Sequence, residues 1–290
     1  MLQTDEASLK KRLRDALSPT LRSEELEQVH NSYDIIGDIA VIRLTEATKK
    51  HRQSIAEAIM KIHRSVRTVL VQASPVQGDF RIRKLEFVAG ENRTATTHVE
   101  SGCAFSVNVG ECYFSPRLSY ERMRIAKQVK ANEIVINMFA GVGCFSLLIA
   151  KYSEASKVYS IDVNPVAFRL MQENIRKNRV YGRVIPMLGD AKEIIEQRLQ
   201  HTADRVLMPL PEKALEYLPS ALSALKEQGE CIHYYDFEHA KANENPVEKA
   251  RLKVAKRLDR LDAEYEFSLG RIVRSTGPNW YQVVLDIKLG

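Results

Sequence analysis

Asn137-Met138-Phe139-Ala140-Gly141-Val142-Gly143 lies where a dense apolar strand pattern, Glu133–Met138, gives way to a helical one, Phe145–Lys151. Glycines at such a junction let the chain turn tightly and let a ligand approach the backbone closely. The start of the helix offers N–H groups that suit an anion such as a carboxylate. Asp162 ends the next strand pattern, about 20 residues past the glycines, where an acid can accept hydrogen bonds from ribose hydroxyls. Asp190 follows a third pattern, in Gly189-Asp190-Ala191, where a carboxylate can take a hydrogen bond from an adenine amino group. Either acid alone suits a simpler duty: Asp162 as a cap on the turn into Asn164-Pro165, Asp190 as a cap on the next helix. Strand ends converging on one crevice favour a nucleoside-type ligand instead. A dinucleotide fingerprint needs a third glycine three positions after Gly143, and Ser146 stands there. The set therefore fits S-adenosylmethionine, with its methionine carboxylate at the loop. The expected cofactor contacts are Phe139, Ala140, Gly141, Gly143, Asp162, Val163, Asp190, Ala191 and Pro209.

A sheet must bring these ends together. From residue 116 onward, strand patterns alternate with helical ones: Lys157–Asp162, Ala167–Asn178, Arg183–Gly189, Ala191–Gln200, Arg205–Met208, Ala214–Leu225 and Glu230–Asp236. Such alternation predicts an α/β domain over 116–290, a doubly wound Rossmann-like sheet. Tyr265–Arg274 and Trp280–Ile287 read as paired strands joined through Thr276-Gly277-Pro278-Asn279. Residues 31–115 read as a smaller α+β domain, mostly antiparallel. Its predicted elements are two strands around Gly37-Asp38, a helix over 45–64, and strands at Thr68–Gln72, Phe80–Phe87, Thr96–Val99 and Ala104–Val109. Residues 1–30 read as a helical extension, with an amphipathic helix over 5–17 ended by Ser18-Pro19.

The 290-residue chain is 44% hydrophobic and 28% charged, ordinary for a globular protein. No apolar run approaches the ~20 residues that span a bilayer, and the charged start is no secretory signal. A cytoplasmic protein is expected. The four cysteines, Cys103, Cys112, Cys144 and Cys231, form no C-x-x-C pair and sit in apolar contexts. They read as reduced core residues, and no metal site is expected. A net charge of +6 leans weakly toward a polyanionic partner.

Four stretches are more specific: SYDIIGDIAVIR (32–43), FRIRKLEFVAG (80–90), YFSPRLSYERMRIA (113–126) and DRVLMPLPEKALEYL (204–218). With the glycine loop, they resemble the archaeal and eukaryotic tRNA (guanine-37 N1)-methyltransferases, from about Ser32 to the C-terminus. The resemblance implies methyl transfer from S-adenosylmethionine to N1 of guanosine 37. Guanine N1 carries a proton at neutral pH, so a general base must remove it. The family match assigns that role to Glu121, which helical spacing alone would pair with Arg117 or Arg124 on a surface. The match also assigns Arg81 to O6, where charge collects once N1 is deprotonated. Tyr113, Arg117, Arg122, Pro209 and Pro211 are the implied substrate contacts. One departure stands out. The family often has Asn-Leu-Pro after the fourth strand; here Met208-Pro209-Leu210-Pro211 puts proline in place of an asparagine that holds the base. Asn137 likewise stands where many relatives carry an acid.

The implied partner is the tRNA anticodon arm, met by a monomer. Arg117, Arg122, Arg124, Lys127 and Lys130 fall in one predicted helix, Arg81, Arg83 and Lys84 in one strand, and Arg251, Lys253, Lys256, Arg257 and Arg260 in a second helix. Phosphate contacts from such groups would be salt-sensitive, and ordinary solvated faces are the bland alternative. Tyr113 and Tyr120 could stack on a splayed base. Three further readings stay open: action on a tricyclic wyosine intermediate as well, aminocarboxypropyl transfer, and a noncatalytic RNA-binding module.

Overall fold

The computed structural model describes residues 13–29, 33–78, 80–227 and 231–290. Positions 5–12 of the expected N-terminal helix and residue 230 of an expected strand lie outside them. The chain divides into two compact units, Met1–Val99 with Ala104–Pro116, and Glu100–Cys103 with Arg117–Gly290.

The first unit is built on a four-stranded sheet in the order β1-β2-β3-β4: Asp34–Ile36, Ile39–Ile42, Thr68–Gln72 and Leu85–Gly90. The β2–β3 pair is parallel and the outer pairs are antiparallel. Helix α1, Arg52–Ile62, follows a 3-10 turn at Glu46–His51 and supplies the connection that a parallel pair requires. Ile55 and Ile59 of α1 pack with Ala40, Ile42 and Val69. Leu13, Leu17, Leu21 and Val29 belong to the same buried cluster, so the described part of the N-terminal segment is a wall of this core and not an appendage. A hairpin of β5 (Ala95–Glu100) and β6 (Cys103–Asn108) forms a separate two-stranded sheet.

One expected strand is displaced. The sequence alternates from Phe80, yet β4 begins at Leu85. Ile82 instead pairs back with Gln77 in an isolated antiparallel bridge, Gln77 N–H donating to the Ile82 carbonyl at 2.8 Å, and Arg81 N–H donates to the Gly78 carbonyl at 3.1 Å. Those pairings use backbone groups that a strand would need.

The second unit is a seven-stranded sheet in the order β12-β13-β11-β10-β7-β8-β9. Strands β7 (Ile134–Asn137), β8 (Lys157–Asp162), β9 (Val184–Leu188), β10 (Arg205–Met208) and β11 (Cys231–His239) run parallel. Strands β12 (Tyr265–Gly277) and β13 (Trp280–Leu289) are antiparallel, and β13 inserts between β11 and β12. The helices are α2 (Ser119–Gln128), α3 (Cys144–Tyr152), α4 (Pro165–Lys177), α5 (Ala191–Ile194), α6 (Pro211–Ala224) and α7 (Pro246–Asp259). Pro165, Pro211 and Pro246 each open a helix, where their missing N–H costs nothing. The β7 and β10 strands are neighbours although β8 and β9 intervene in the chain. That reversal of strand order leaves a crevice at their carboxyl ends, the usual ligand position in such sheets.

Candidate active site

Strand β7 ends at the crevice and the loop to α3 fills its floor. Gly141 and Gly143 both take left-handed backbone angles, φ +58° and +92°. A Cβ on Gly143 would come within 2.6 Å of Leu147 Cδ1, so neither the conformation nor the packing admits a side chain. Asp162, at the end of β8, accepts from Gly141 N–H at 2.6 Å through Oδ2 and from Asn164 N–H at 2.9 Å through Oδ1. It therefore clamps the glycine loop to the neighbouring strand. Burial pushes its carboxyl above the usual range, against those two donors. Each carboxylate oxygen has two acceptor sites, so capacity remains for a ribose hydroxyl.

Asp190 caps α5, accepting from Lys192 N–H at 2.8 Å, and its other oxygen accepts from the Tyr217 hydroxyl. Tyr217 in turn packs edge-on against Phe139 of the loop. The capping duty considered for both acids is thus real in both cases. It coexists with their position at the carboxyl edge, beside Ala191 and exposed Val163. Pro209 follows β10 at the same edge, and Pro211 starts α6. Side-chain-free backbone at a helix start, with carboxylates at the adjacent strand ends, matches the donors and acceptors that S-adenosylmethionine requires.

Glu121 occupies the first turn of α2 and is 1% exposed. Arg124, one turn on, donates to both its oxygens, at 2.8 and 3.0 Å. The Tyr235 hydroxyl from β11 donates to Oε1 at 2.7 Å, and Arg271 from β12 donates to Oε2. Burial works against charge on Glu121, but the donors outweigh it and hold its carboxyl below the usual carboxylate range. Arg124 is gripped from behind by Asp286 of β13, at 2.6 and 3.0 Å. Asp286 also bonds His233 Nδ1 at 2.6 Å, and Arg205 donates to His233 Nε2 at 2.7 Å while its other nitrogens bind Glu133. A guanidinium can only donate, so Nε2 is the acceptor and the ring proton sits on Nδ1, facing Asp286. An unbroken buried line of alternating charge and donor thus runs from Glu133 to Glu121.

In the first unit, Arg81 has a left-handed backbone, φ +54°, unusual for a side chain of its size. Its guanidinium lies 4.3 Å over the Tyr113 ring. With Arg83, Cys112 and Phe114 they line a small cavity of about 40 Å³. Strain of this kind persists where surroundings enforce it, and it clusters at functional positions.

The TRM5/TYW2 methyltransferase domain family matches residues 96–262, and the TYW2 N-terminal domain family matches residues 13–94. The chain belongs to the TRM5/TYW2 methyltransferase family. Among its relatives, the tRNA (guanine(37)-N(1))-methyltransferase Trm5b of Pyrococcus abyssi is 38% identical over 89% of this chain and 74% of that protein. The tRNA 4-demethylwyosine(37)-methyltransferase Taw21 of Saccharolobus solfataricus is 36% identical over 92% of this chain and 97% of that protein. The solved complex of aTrm5 with tRNALeu superposes with a TM-score of 0.83 at 35% identity, covering 97% of this chain and 79% of that one. The expected doubly wound methyltransferase sheet and the S-adenosylmethionine dependence follow from this membership.

Within this family framework, the sequence-predicted residues separate. The sheet edge gathers Phe139–Gly143, Asp162, Asp190 and Pro209. Arg81 and Tyr113 meet in the first unit, and Arg117 is exposed at the start of the 3-10 turn before α2. Arg122 does not fit its expected RNA contact. It is 3% exposed and pairs at 2.5 Å with buried Glu100, because it lies on the inner face of α2. Arg124 is likewise committed inside. Lys253, expected on a basic face, binds Asp236 and Glu238. Sequence reasoning missed Tyr235, Arg271, His233 and Asp286 around Glu121. All come from β11–β13, more than a hundred residues away, and only contact could reveal them. A sequence signal did exist for one: Asp286 is an acid in an otherwise apolar strand, Val283–Ile287.

Proposed function

We propose that this enzyme methylates N1 of guanosine 37 in tRNA, with Glu121 as the general base and Arg81 at O6. S-adenosylmethionine supplies an electrophilic sulfonium methyl. The observation that carries the reading is Glu121 itself. Its carboxylate is buried, ionised and held by side chains from three elements, and a carboxylate kept dry is a competent acceptor for the N1 proton. A carboxyl held below the usual carboxylate range is a modest base, so N1 needs help in becoming acidic. A guanidinium donating to O6 gives that help, by stabilising the charge left when the proton departs. Arg81 supports this role through its enforced backbone and its seat on Tyr113. Arg117, exposed, and Lys127 and Lys130 suit phosphates of the anticodon arm.

A second reading concerns the acceptor. Pro209 replaces the amide-bearing residue common in the family, the N-terminal part matches the TYW2 domain, and the Saccharolobus 4-demethylwyosine methyltransferase is matched over nearly its whole length. A tricyclic wyosine intermediate is then a further acceptor. Nucleoside mass spectrometry on tRNA bearing guanosine or the tricyclic base at position 37 separates the two. Methylation at guanine N1 supports the first reading; methyl on the tricycle as well supports the second, methyl on the tricycle alone overturns the first, and an added aminocarboxypropyl mass overturns both.

A further inference from the structure

Glu121 cannot reach a substrate as it stands. Oε1 is taken by Arg124 and Tyr235, and Oε2 by Arg124 and Arg271. For either oxygen to face guanine N1, one of these partners has to leave, and they differ greatly in freedom. Tyr235 is 1% exposed and its ring lies against Phe145. Arg124 is fastened by Asp286, which is itself held by His233 and Gln128. Moving either would strand buried charge or a buried hydroxyl.

Arg271 is different. Its side chain is 29% exposed, and its guanidinium rests 5.2 Å over the ring of Tyr120, which is 68% exposed. Its Nε–H is buried and has no acceptor among the described residues, so the guanidinium is under-satisfied where it rests. A partly exposed cation on an exposed ring, with one donor unsatisfied where it rests, is free to exchange one anion for another.

We propose that Arg271 is a substrate-released latch: it covers Glu121 in the free enzyme, and bound RNA draws it onto a phosphate or base oxygen, opening Oε2 toward the guanine. The inference rests on Glu121 as the base. It also means that the base is uncovered only when RNA is in place. The charged and titratable groups around Glu121 are Arg124 and Tyr120 on α2, Tyr235 and His233 on β11, Arg271 on β12 and Asp286 on β13. Of these, Arg271 and Tyr120 are the ones that RNA can contact without dismantling the interior.

The test is the pH dependence of Arg271→Met and Arg271→Lys. Rates under kcat/KM conditions report the free enzyme, and single-turnover rates at saturating tRNA report the complex. Methionine removes the latch charge. The acid limb of kcat/KM should move up by about one pH unit, as loss of an adjacent cation requires. The single-turnover limb should keep its wild-type position, since there the latch is already open. Lysine should return the kcat/KM limb toward wild type. Both limbs moving together, or neither moving, overturns the latch. A variant that fails to fold is bypassed by titrating the Glu121 carboxyl in the wild-type protein by carbon NMR, with and without an anticodon stem-loop, Glu121→Gln serving to assign the signal. An RNA-induced upward shift supports the latch and an unchanged titration overturns it. Full methylation by Glu121→Gln would remove the base assignment alone.

Discussion

The two halves of the second unit's chemistry are assembled in opposite ways. At the cofactor edge, Asp162 reaches Gly141 and Asn164, and Asp190 reaches Lys192 and Glu193: contacts between a strand end and its own loop or its neighbour's. Around Glu121 the partners come from α2, β11, β12 and β13, through side chains alone. The first arrangement is mostly backbone and follows from the topology of the sheet. The second depends on individual charges, each necessary to balance the next.

Breaking the Glu121 side should cost most. Glu121→Gln should lower single-turnover methylation about 10²–10⁴-fold, the usual worth of a positioned base, while calorimetric S-adenosylmethionine binding persists. Cofactor binding lost in parallel would mean that the two halves are not separable. Next comes stability. Asp286→Asn removes one of the two buried counter-charges of Arg124, the other being Glu121, and should cost about 3 kcal/mol of unfolding free energy by denaturant titration. The pH dependence has a definite sign. Burial opposes ionisation of Asp286, but His233 and Arg124 prevail and hold its folded pKa well below the unfolded value. Its stabilisation is therefore fully present above the unfolded pKa of about 3.9 and lost as pH falls from there toward the folded pKa. The variant should show a shallower loss in that acid window; an unchanged slope would separate Asp286 from acid stability.

On the cofactor side the effects should be smaller. Asp162→Ala should weaken S-adenosylmethionine binding ~10–100-fold, by removing a charged acceptor and loosening the loop clamp. An effect on tRNA affinity alone would contradict the assigned position. Smallest is Pro209→Asn, which restores a side-chain amide. It should shift the preference between guanosine and a tricyclic acceptor by about 2–10-fold, the worth of one hydrogen bond, with kcat/KM on the two tRNAs as the measure.

That contrast also explains what could be read in advance. The glycine loop, Asp162 and Asp190 were legible because a parallel sheet places its functional groups at strand ends, and strand ends are visible as changes of pattern. The Phe80–Phe87 segment was misleading for a related reason: alternation records which residues face inward, not which partner the backbone pairs with, and here Ile82 pairs back with Gln77 and Arg81 with Gly78. Arg122 was misread because a charge on a helix says nothing of which face is buried. Glu100, twenty-two residues earlier, supplies the partner that allows it inside. Arg271 and Asp286 could not be placed at all, since their meaning lies in contacts 150 and 162 residues apart along the chain.

Strand β13 lies between β11 and β12 although it follows both in the chain. During synthesis, β12 therefore has no sheet edge to join until β13 has emerged and paired with β11. Pairings so distant in sequence form late. A chain that ends before Asp286 already possesses its glycine loop and Asp162, yet Arg124 lacks the carboxylate that fastens it from behind Glu121.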